Sequence, residues 1–306
     1  MSSKKIQILL SFCCLMNINF HLLGMELHTI DPYSPQAIIA NPLACLEKIN
    51  PLKEKFFAGS DLLNFKEYEK QCPIFLLCEC SPLDLAGCLL GRSKNFLFRG
   101  DYEKKVSEQA IKIMNNSLKE ELNFLSFASG DLFQDLVIIA KILDKKPSVI
   151  LNINLIDIQY APYIDILKKK NNSQQQIRVE REFDLEYCTQ EYSKIKTAAW
   201  TKKDADNIYR IMLQQALFIQ FKKWLNLYCE KKNIVRVFSS VNDYWFYRNN
   251  YICPLPDLIA AADIYSSADI RLGSSEDFNN LVKKTMEENS QIKVVVLLTE
   301  GNCLTF

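Results

Sequence analysis

Two mainly apolar runs, residues 122–128 and 149–156, constrain the fold of this chain more than any other feature of its sequence. Each is long enough for one buried strand, and the first breaks at Ser129 and Gly130 into a segment with helical periodicity. The apolar positions of that segment share one face: Leu132, Leu136, Ile139, Ala140 and Leu143. A short helix between two strands favours a crossover connection, so we expect the two strands to be parallel neighbours in one sheet.

The rest of the chain continues this alternation of strands and helices. Runs that are continuously apolar, instead of strictly alternating, are typical of strands covered on both faces. We therefore predict an α/β fold with a largely parallel sheet and helices on both faces. The further predicted strands are 234–239, 257–262 and 292–298, and the further predicted helices are 102–118, 201–230 and 275–288.

The predicted domain organisation places one main domain behind an N-terminal extension. The parts, in chain order, are a segment at 1–24, an extension at 25–101, and the α/β domain at 102–306 with an insertion or lid at about 159–203. Within the extension, prolines at 32, 35 and 42 predict an irregular lead-in over residues 31–50. Two short strands are predicted after it, at 74–80 and 95–99, the second closed by Gly100.

Residues 1–24 leave two interpretations open. A charged start followed by apolar residues 6–16 is typical of a secretory signal, and asparagines interrupt the run too early for a membrane span. Leu22 stands where a cleavage site needs a small residue, so the alternative is a buried N-terminal helix or strand. The first interpretation implies a secreted or periplasmic protein, and the second implies a cytoplasmic one.

Charge and cysteine content bear on the classes of partner. The 37 basic and 36 acidic side chains nearly balance, and no basic stripe interleaved with aromatics indicates a nucleic-acid surface. Four of the eleven cysteines crowd one segment, which raises a zinc hypothesis: Cys72, Cys78, Cys80 and Cys88. They lack the paired Cys-x-x-Cys spacing of zinc modules, and both histidines lie far upstream. We therefore predict buried apolar cysteines and no metal site.

Two short motifs end the first two predicted strands. The first reads SFASGDL and the second LIDIQY, and Asp157 follows Gly130 by 27 residues. That separation is close to the one at which a nucleotide-binding sheet sets a carboxylate beside a ribose. In these motifs and in element order, residues 102–300 resemble the class I S-adenosylmethionine-dependent methyltransferases. The resemblance implies a Rossmann-like sheet and S-adenosylmethionine as the small-molecule cofactor.

The resemblance also implies which loops form the site. The cofactor residues that it implies are, in chain order, Ala128, Ser129, Gly130, Asp131, Asp157 and Asp243, the last beside the adenine. Asp263 and Tyr265, after the fourth predicted strand, would position the substrate. The structural alternatives are that Asp131 only caps a helix and that Tyr265 is a packed strand-end residue. Methyl transfer mainly requires alignment of the nucleophile, so no catalytic base is assigned.

The motif departs from the family's usual pattern in the first loop. Ser126 stands at the usual acid, and Ala128 and Leu132 stand at two usual glycines, so that Gly130 is the one glycine kept. The usual Asn/Asp-Pro-Pro-Tyr motif is replaced by CPLPDLIAAADIY, and the chain ends too soon for the antiparallel pair that finishes the family's sheet.

Charge in the first loop favours one type of cofactor over another. Asp131 would repel the pyrophosphate of a dinucleotide but suits the cationic amino and sulfonium groups of S-adenosylmethionine. Two function classes remain: an active methyltransferase of unknown substrate, and a degenerate relative that keeps the fold as a binding or interaction module.

Overall fold

Six strands form one sheet in the described part of the chain. The computed structural model describes residues 31, 33–41, 85–117, 119–130, 132–161, 164, 221–222, 224–230, 233–251, 253–262, 275–297 and 303–305, with the backbone alone at 85–98, 159, 275, 297 and 304. The strands are β1 (Glu121–Phe127), β2 (Ile150–Ile156), β3 (Ile234–Phe238), β4 (Leu258–Ala262), β5 (Lys293–Leu297) and β6 (Cys303–Thr305). Their spatial order is β3-β2-β1-β4-β5-β6.

The first five strands are parallel, as the continuous apolar runs predict. β1 pairs with β2 along its whole length, from Glu121 opposite Ile150 to Phe127 opposite Ile156, and with β4 on its other side. The five strands predicted within residues 102–306 are confirmed to within one residue at each end. Since the chain moves outward in opposite directions from β1, the carboxyl ends of β1 and β4 mark the switch point where open α/β sheets bind ligands.

Helices cover both faces of the sheet. They are α1 (Pro35–Ala40), α2 (Leu85–Ser117), α3 (Phe133–Lys145), α4 (Val241–Asn250) and α5 (Ser275–Glu288). One apolar core joins the sheet to α1, α2, α3 and the helical residues at 221–222 and 224–228, and a second joins it to α4 and α5. These elements belong to one compact unit, Tyr33–Phe306. The predicted α/β class is confirmed.

Part of the predicted irregular lead-in is helical, so that prediction was wrong over α1. Ser34 begins the helix by accepting a hydrogen bond from the Ala37 backbone N–H at 3.2 Å, and Pro35 occupies the first turn, where no N–H is needed. Ile38 is fully buried in the first core, and the Trp224 indole N–H donates to the Tyr33 carbonyl at 2.9 Å. A short helix here buries an apolar side chain that an extended segment would leave exposed.

The predicted strand at residues 95–99 was also wrong, because these residues lie inside α2. A short apolar run fits a strand or a buried helix equally well by periodicity alone. Gly100, taken as the strand's end, is a glycine inside a helix, which costs only about 1 kcal/mol relative to alanine. The helix therefore begins well before residue 102 and passes without a break through the boundary expected at residues 101–102.

The sheet ends with a strand that the sequence analysis did not predict. β6 pairs antiparallel with β5, Leu297 opposite Cys303, so one short antiparallel strand does fit before the end of the chain. Several predictions lie outside the described residues: the segment 1–24, the strand at 74–80, most of the insertion at 159–203 and the side chains of the cysteine cluster. Among the described residues, no helix is both long and apolar enough to cross a membrane.

Candidate functional site

The loop after β1 has an unusual backbone. Ala128, Gly130 and Leu132 have φ angles of 59°, 53° and 67°, all in the left-handed region that favours glycine. A left-handed conformation costs a non-glycine residue about 1–2 kcal/mol. Ala128 and Leu132 occupy positions where the family that the sequence resembles usually has glycines, and both have the backbone conformation that glycine adopts most readily. Such strain is typical of functional sites.

Hydrogen bonds hold the loop in this shape. The Gly130 N–H donates to Asp157 Oδ2 at 2.8 Å, and the Ala128 N–H donates to the Ile156 carbonyl at 2.8 Å. The Ser129 and Tyr160 hydroxyl oxygens lie 2.8 Å apart in a buried hydrogen bond. Both partners, Asp157 and Tyr160, follow β2, so the end of the second strand fixes the loop after the first.

Asp157 is central to this arrangement. It is 5% exposed, and its backbone N–H donates to the Phe238 carbonyl at the end of β3 at 3.0 Å. Asp157 therefore links the ends of three neighbouring strands. The spacing of Gly130 and Asp157 predicted a carboxylate beside a ribose, and the structure shows in addition that the two residues are joined by a direct hydrogen bond.

A second buried carboxylate lies behind the loop. Asp135, in the first turn of α3, is 2% exposed and hydrogen-bonds to Ser126 of β1. Burial raises the pKa of Asp135 from its ordinary 3.8 to about 7; the Ser126 hydrogen bond opposes this rise, and the negative charge of Asp157 adds to it. Ser126 stands where the resembling family has an acid. An acidic side chain therefore contacts Ser126, although it is supplied from α3.

A pocket of about 90 Å³ opens at the carboxyl ends of β1, β2 and β3. Its polar lining consists of Asp157, Ser239, Ser240 and Asp277, and its apolar lining of Phe127, Ala128, Ile156, Ile158 and Val241. The described lining therefore carries two carboxylates and two hydroxyls and no lysine or arginine. Apolar walls with a few polar groups are typical of small-molecule sites, but enclosed ligand sites are several times larger, about 300–1,000 Å³.

The sequence-predicted residues divide into three groups. Ala128 and Asp157 line the pocket, and Ser129 and Gly130 belong to the loop that Asp157 and Tyr160 hold. Asp243 caps α4: its Oδ2 accepts from the Ser239 N–H at 3.1 Å, and its own N–H donates to Ser240 Oγ at 3.1 Å. The remaining three lie outside the described residues: Asp131, Asp263 and Tyr265.

Sequence reasoning missed four residues of the site. Tyr160 stands in the quoted motif LIDIQY and was not assigned a role. Ser239 ends the predicted strand at 234–239 and Ser240 directly follows it, the signal that identified Asp157. Asp277 has no comparable signal, because it comes from the start of α5 and reaches the pocket only through the tertiary fold. No cluster of three or more potential metal ligands occurs among the residues that the structure describes.

The fold and the site define an α/β protein with a five-stranded parallel sheet, compatible with the Rossmann-like fold, and a small acidic pocket beside its switch point. No protein-family model matches the chain, and no curated protein matches it at a significant level.

Proposed function

We propose that this chain is an S-adenosylmethionine-dependent methyltransferase whose pocket encloses the ribose of the cofactor. The observation that carries the proposal is the polar lining of the pocket: Asp157 and Asp277 bring two carboxylates, and none of the described lining residues is cationic. Carboxylates accept hydrogen bonds from a ribose diol and attract a sulfonium cation, whereas they repel phosphates. A nucleoside cofactor without phosphates suits this lining better than a dinucleotide does.

The residues present fit this group. The apolar side chains of Phe127, Ile156 and Ile158 offer a surface for an adenine ring, and the Ser239 and Ser240 hydroxyls offer hydrogen bonds to it. Asp157 Oδ2 already accepts from Gly130, but a carboxylate has about four acceptor sites, so Asp157 can hold the loop and a ribose together. Bound S-adenosylmethionine supplies the activated methyl group, and this chain's residues bind and orient it.

The loop conformation supports the same proposal. Left-handed backbone at Ala128, Gly130 and Leu132 is retained despite the strain at two non-glycine residues. Hydrogen bonds to Asp157 and Tyr160 maintain this shape, and backbone strain that the surrounding structure maintains is typical of functional sites. Asp135 adds a carboxylate behind the loop where the resembling family has one at the end of β1.

The pocket volume favours a second candidate function. About 90 Å³ encloses a ribose or part of a base and not a whole cofactor. A degenerate relative that binds a nucleoside and transfers no methyl group has the same fold and the same lining. The two candidates differ in their preference among ligands. A methyltransferase binds S-adenosylmethionine and its demethylated product S-adenosylhomocysteine more tightly than adenosine, whereas a nucleoside-binding relative binds adenosine equally well.

Isothermal titration calorimetry tests the proposal with four ligands: S-adenosylmethionine, S-adenosylhomocysteine, adenosine and NAD⁺. We expect binding of the first two, weaker binding of adenosine and none of NAD⁺. Asp157→Asn keeps an acceptor for the Gly130 N–H but removes the charge, and should weaken S-adenosylmethionine binding by about 1–3 kcal/mol. Asp144→Asn, on the far end of α3, is the matched control and should bind normally.

Two results would overturn the proposal. Tight NAD⁺ binding would contradict the argument from the charge of the pocket. If folded protein gives no heat of binding with the first three ligands, S-adenosylmethionine is excluded as its cofactor. Equal affinity for adenosine and S-adenosylmethionine would instead select the nucleoside-binding alternative.

A further inference from the structure

A polar cluster lies within the second core, away from the pocket. Asn154 of β2 stands opposite Arg236 of β3, at mid-strand positions on the face covered by α4 and α5. Tyr244 and Arg248 of α4 complete the cluster, because Arg236 and Arg248 both act electrostatically on the Tyr244 hydroxyl. The two arginines are partly exposed. Asn154 and Tyr244 have no exposed surface at all, so their polar atoms are out of reach of bulk solvent.

Each member of the cluster has one buried polar atom without a partner. Within the described part of the chain these atoms are Asn154 Nδ2, Arg236 Nη1, Tyr244 Oη and Arg248 Nε. All four carry hydrogens and can donate, and only the tyrosine oxygen can also accept. An unpaired buried donor costs about 1–3 kcal/mol, so four together are expensive unless something accepts from them.

The charges of the cluster do not cancel. Arg248 Nη2 forms an ion pair with Glu288 Oε2 of α5 at 2.9 Å, which leaves the charge of Arg236 without a counterpart in this set. The charged groups that act on the Tyr244 hydroxyl are Arg236, Arg248, Glu288 and Cys253. With Cys253 as a thiol, two positive charges and one negative charge leave a formal charge of +1 beside four donors.

We propose that this cluster is a buried binding site for a small inorganic anion of the size of chloride. A surplus of donors over acceptors suits an anion, because a water molecule accepts from only two donors and must itself donate elsewhere. Full burial of Asn154 and Tyr244 excludes an organic ligand, since nothing larger than a simple ion passes between a sheet and its packed helix. The anion ties α4 to β2 and β3 and neutralises the excess charge.

This site is separate from the proposed cofactor pocket. The pocket lies at the strand ends and is lined by carboxylates, whereas the cluster lies under α4 and consists mainly of donors. The two sites share β2 and α4 but no residue. Failure of the anion proposal therefore leaves the proposed function untouched.

Thermal unfolding at constant ionic strength tests the anion site. Sodium bromide or chloride is exchanged for sodium gluconate, whose anion is too large to be buried. We expect Tm to rise by about 2–4 °C per tenfold increase in halide once the site begins to saturate. General salt effects run the other way, since well-hydrated anions stabilise proteins more than bromide does.

Two variants locate the effect. Tyr244→Phe removes one donor without changing the ring, and Arg236→Met removes the charge, so both should lose most of the halide response. Lys112→Met removes an exposed cation from α2 and should keep the full response. If Arg236→Met does not fold, chlorine NMR compares the unmodified protein with Tyr244→Phe instead. We expect the protein to broaden the chloride line only when it is unmodified. A Tm that ignores the choice of anion, or that responds equally in Tyr244→Phe, would overturn the proposal.

Discussion

Replacing Asp135 by asparagine is predicted to stabilise the protein above neutral pH. The side chain is 2% exposed, and burial holds the pKa of its carboxyl at about 7 instead of 3.8. Asparagine has nearly the same shape as a protonated aspartic acid and can still accept from the Ser126 hydroxyl. The substitution therefore removes a charge that the folded protein disfavours and leaves the packing of α3 in place.

The magnitude follows from the two pKa values. A tenfold difference in proton affinity is worth about 1.4 kcal/mol, so a rise from 3.8 to about 7 corresponds to about 4 kcal/mol. Below pH 4 the carboxyl is protonated in both the folded and the unfolded chain, and no penalty arises. Between pH 4 and pH 7 the unfolded chain releases the proton while the folded chain retains it, so stability falls as pH rises. Above pH 7 the loss is complete.

Urea unfolding of Asp135→Asn and of the unmodified protein between pH 4 and pH 8 measures this effect. The stability difference should be near zero at pH 4 and should grow toward about 4 kcal/mol in favour of the variant above pH 7. The contributions of the other carboxyl groups to the free energy of unfolding cancel in this difference, because both proteins contain those groups. Asp144→Asn is the control on the same helix: the hydrogen bond from Lys145 and another from Gln36 lower the pKa of Asp144, so its small effect has the opposite sign.

A difference that does not change with pH would refute the reasoning, because only a titrating group produces the slope. A variant less stable than the unmodified protein at pH 8 would also refute it. That result would mean that the ionised carboxylate is stabilised by a partner, and burial would no longer be the dominant cause.

Three further substitutions test the fold and the loop. Gly100→Ala should stabilise α2 by about 0.5–1 kcal/mol in urea unfolding, because a Cβ there meets nothing within 4 Å and glycine weakens a helix. Ala128→Gly should raise the free energy of unfolding by about 0.5–1 kcal/mol in calorimetry, since relief of the left-handed conformation outweighs the added freedom of the unfolded chain; a loss of stability would contradict the strain. Tyr160→Phe removes the hydroxyl bonded to Ser129 and should cost about 0.5–1.5 kcal/mol, with faster amide exchange at Gly130 as the local readout.

The parallel sheet could be predicted from the sequence because its central strands are buried on both faces. Apolar runs such as residues 122–128 and 149–156 favour strands buried on both faces, and the structure places these two strands side by side. The run at residues 95–99 carried the same local signal and is helical, because its neighbours on both sides continue a helix. A short apolar run predicts burial, and the length of the surrounding pattern decides the type of structure.

The sequence indicated residues of the candidate site only where they come soon after a predicted strand. Gly130 and Asp157 each follow a strand of the sheet, and parallel neighbours bring such residues together. Asp243 also follows a strand, but a serine three residues before it makes the pair a helix cap. An acid after a strand can therefore either bind a neighbouring loop, as Asp157 does, or cap a helix, as Asp243 does. A serine three residues before the acid indicates the helix cap.

The acidic side chain beside β1 shows a limit on comparing sequences position by position. Ser126 stands where the family that the sequence resembles usually has an acid, and Asp135 places an acidic side chain against that serine from the first turn of α3. The loop between them is a second case, since Ala128 and Leu132 have the left-handed backbone conformation that glycine adopts most readily. Folding fixes positions in space, and several residues can supply a group or a backbone shape to one position. A comparison of residue types at one aligned position therefore does not reveal an acidic side chain that comes from another element.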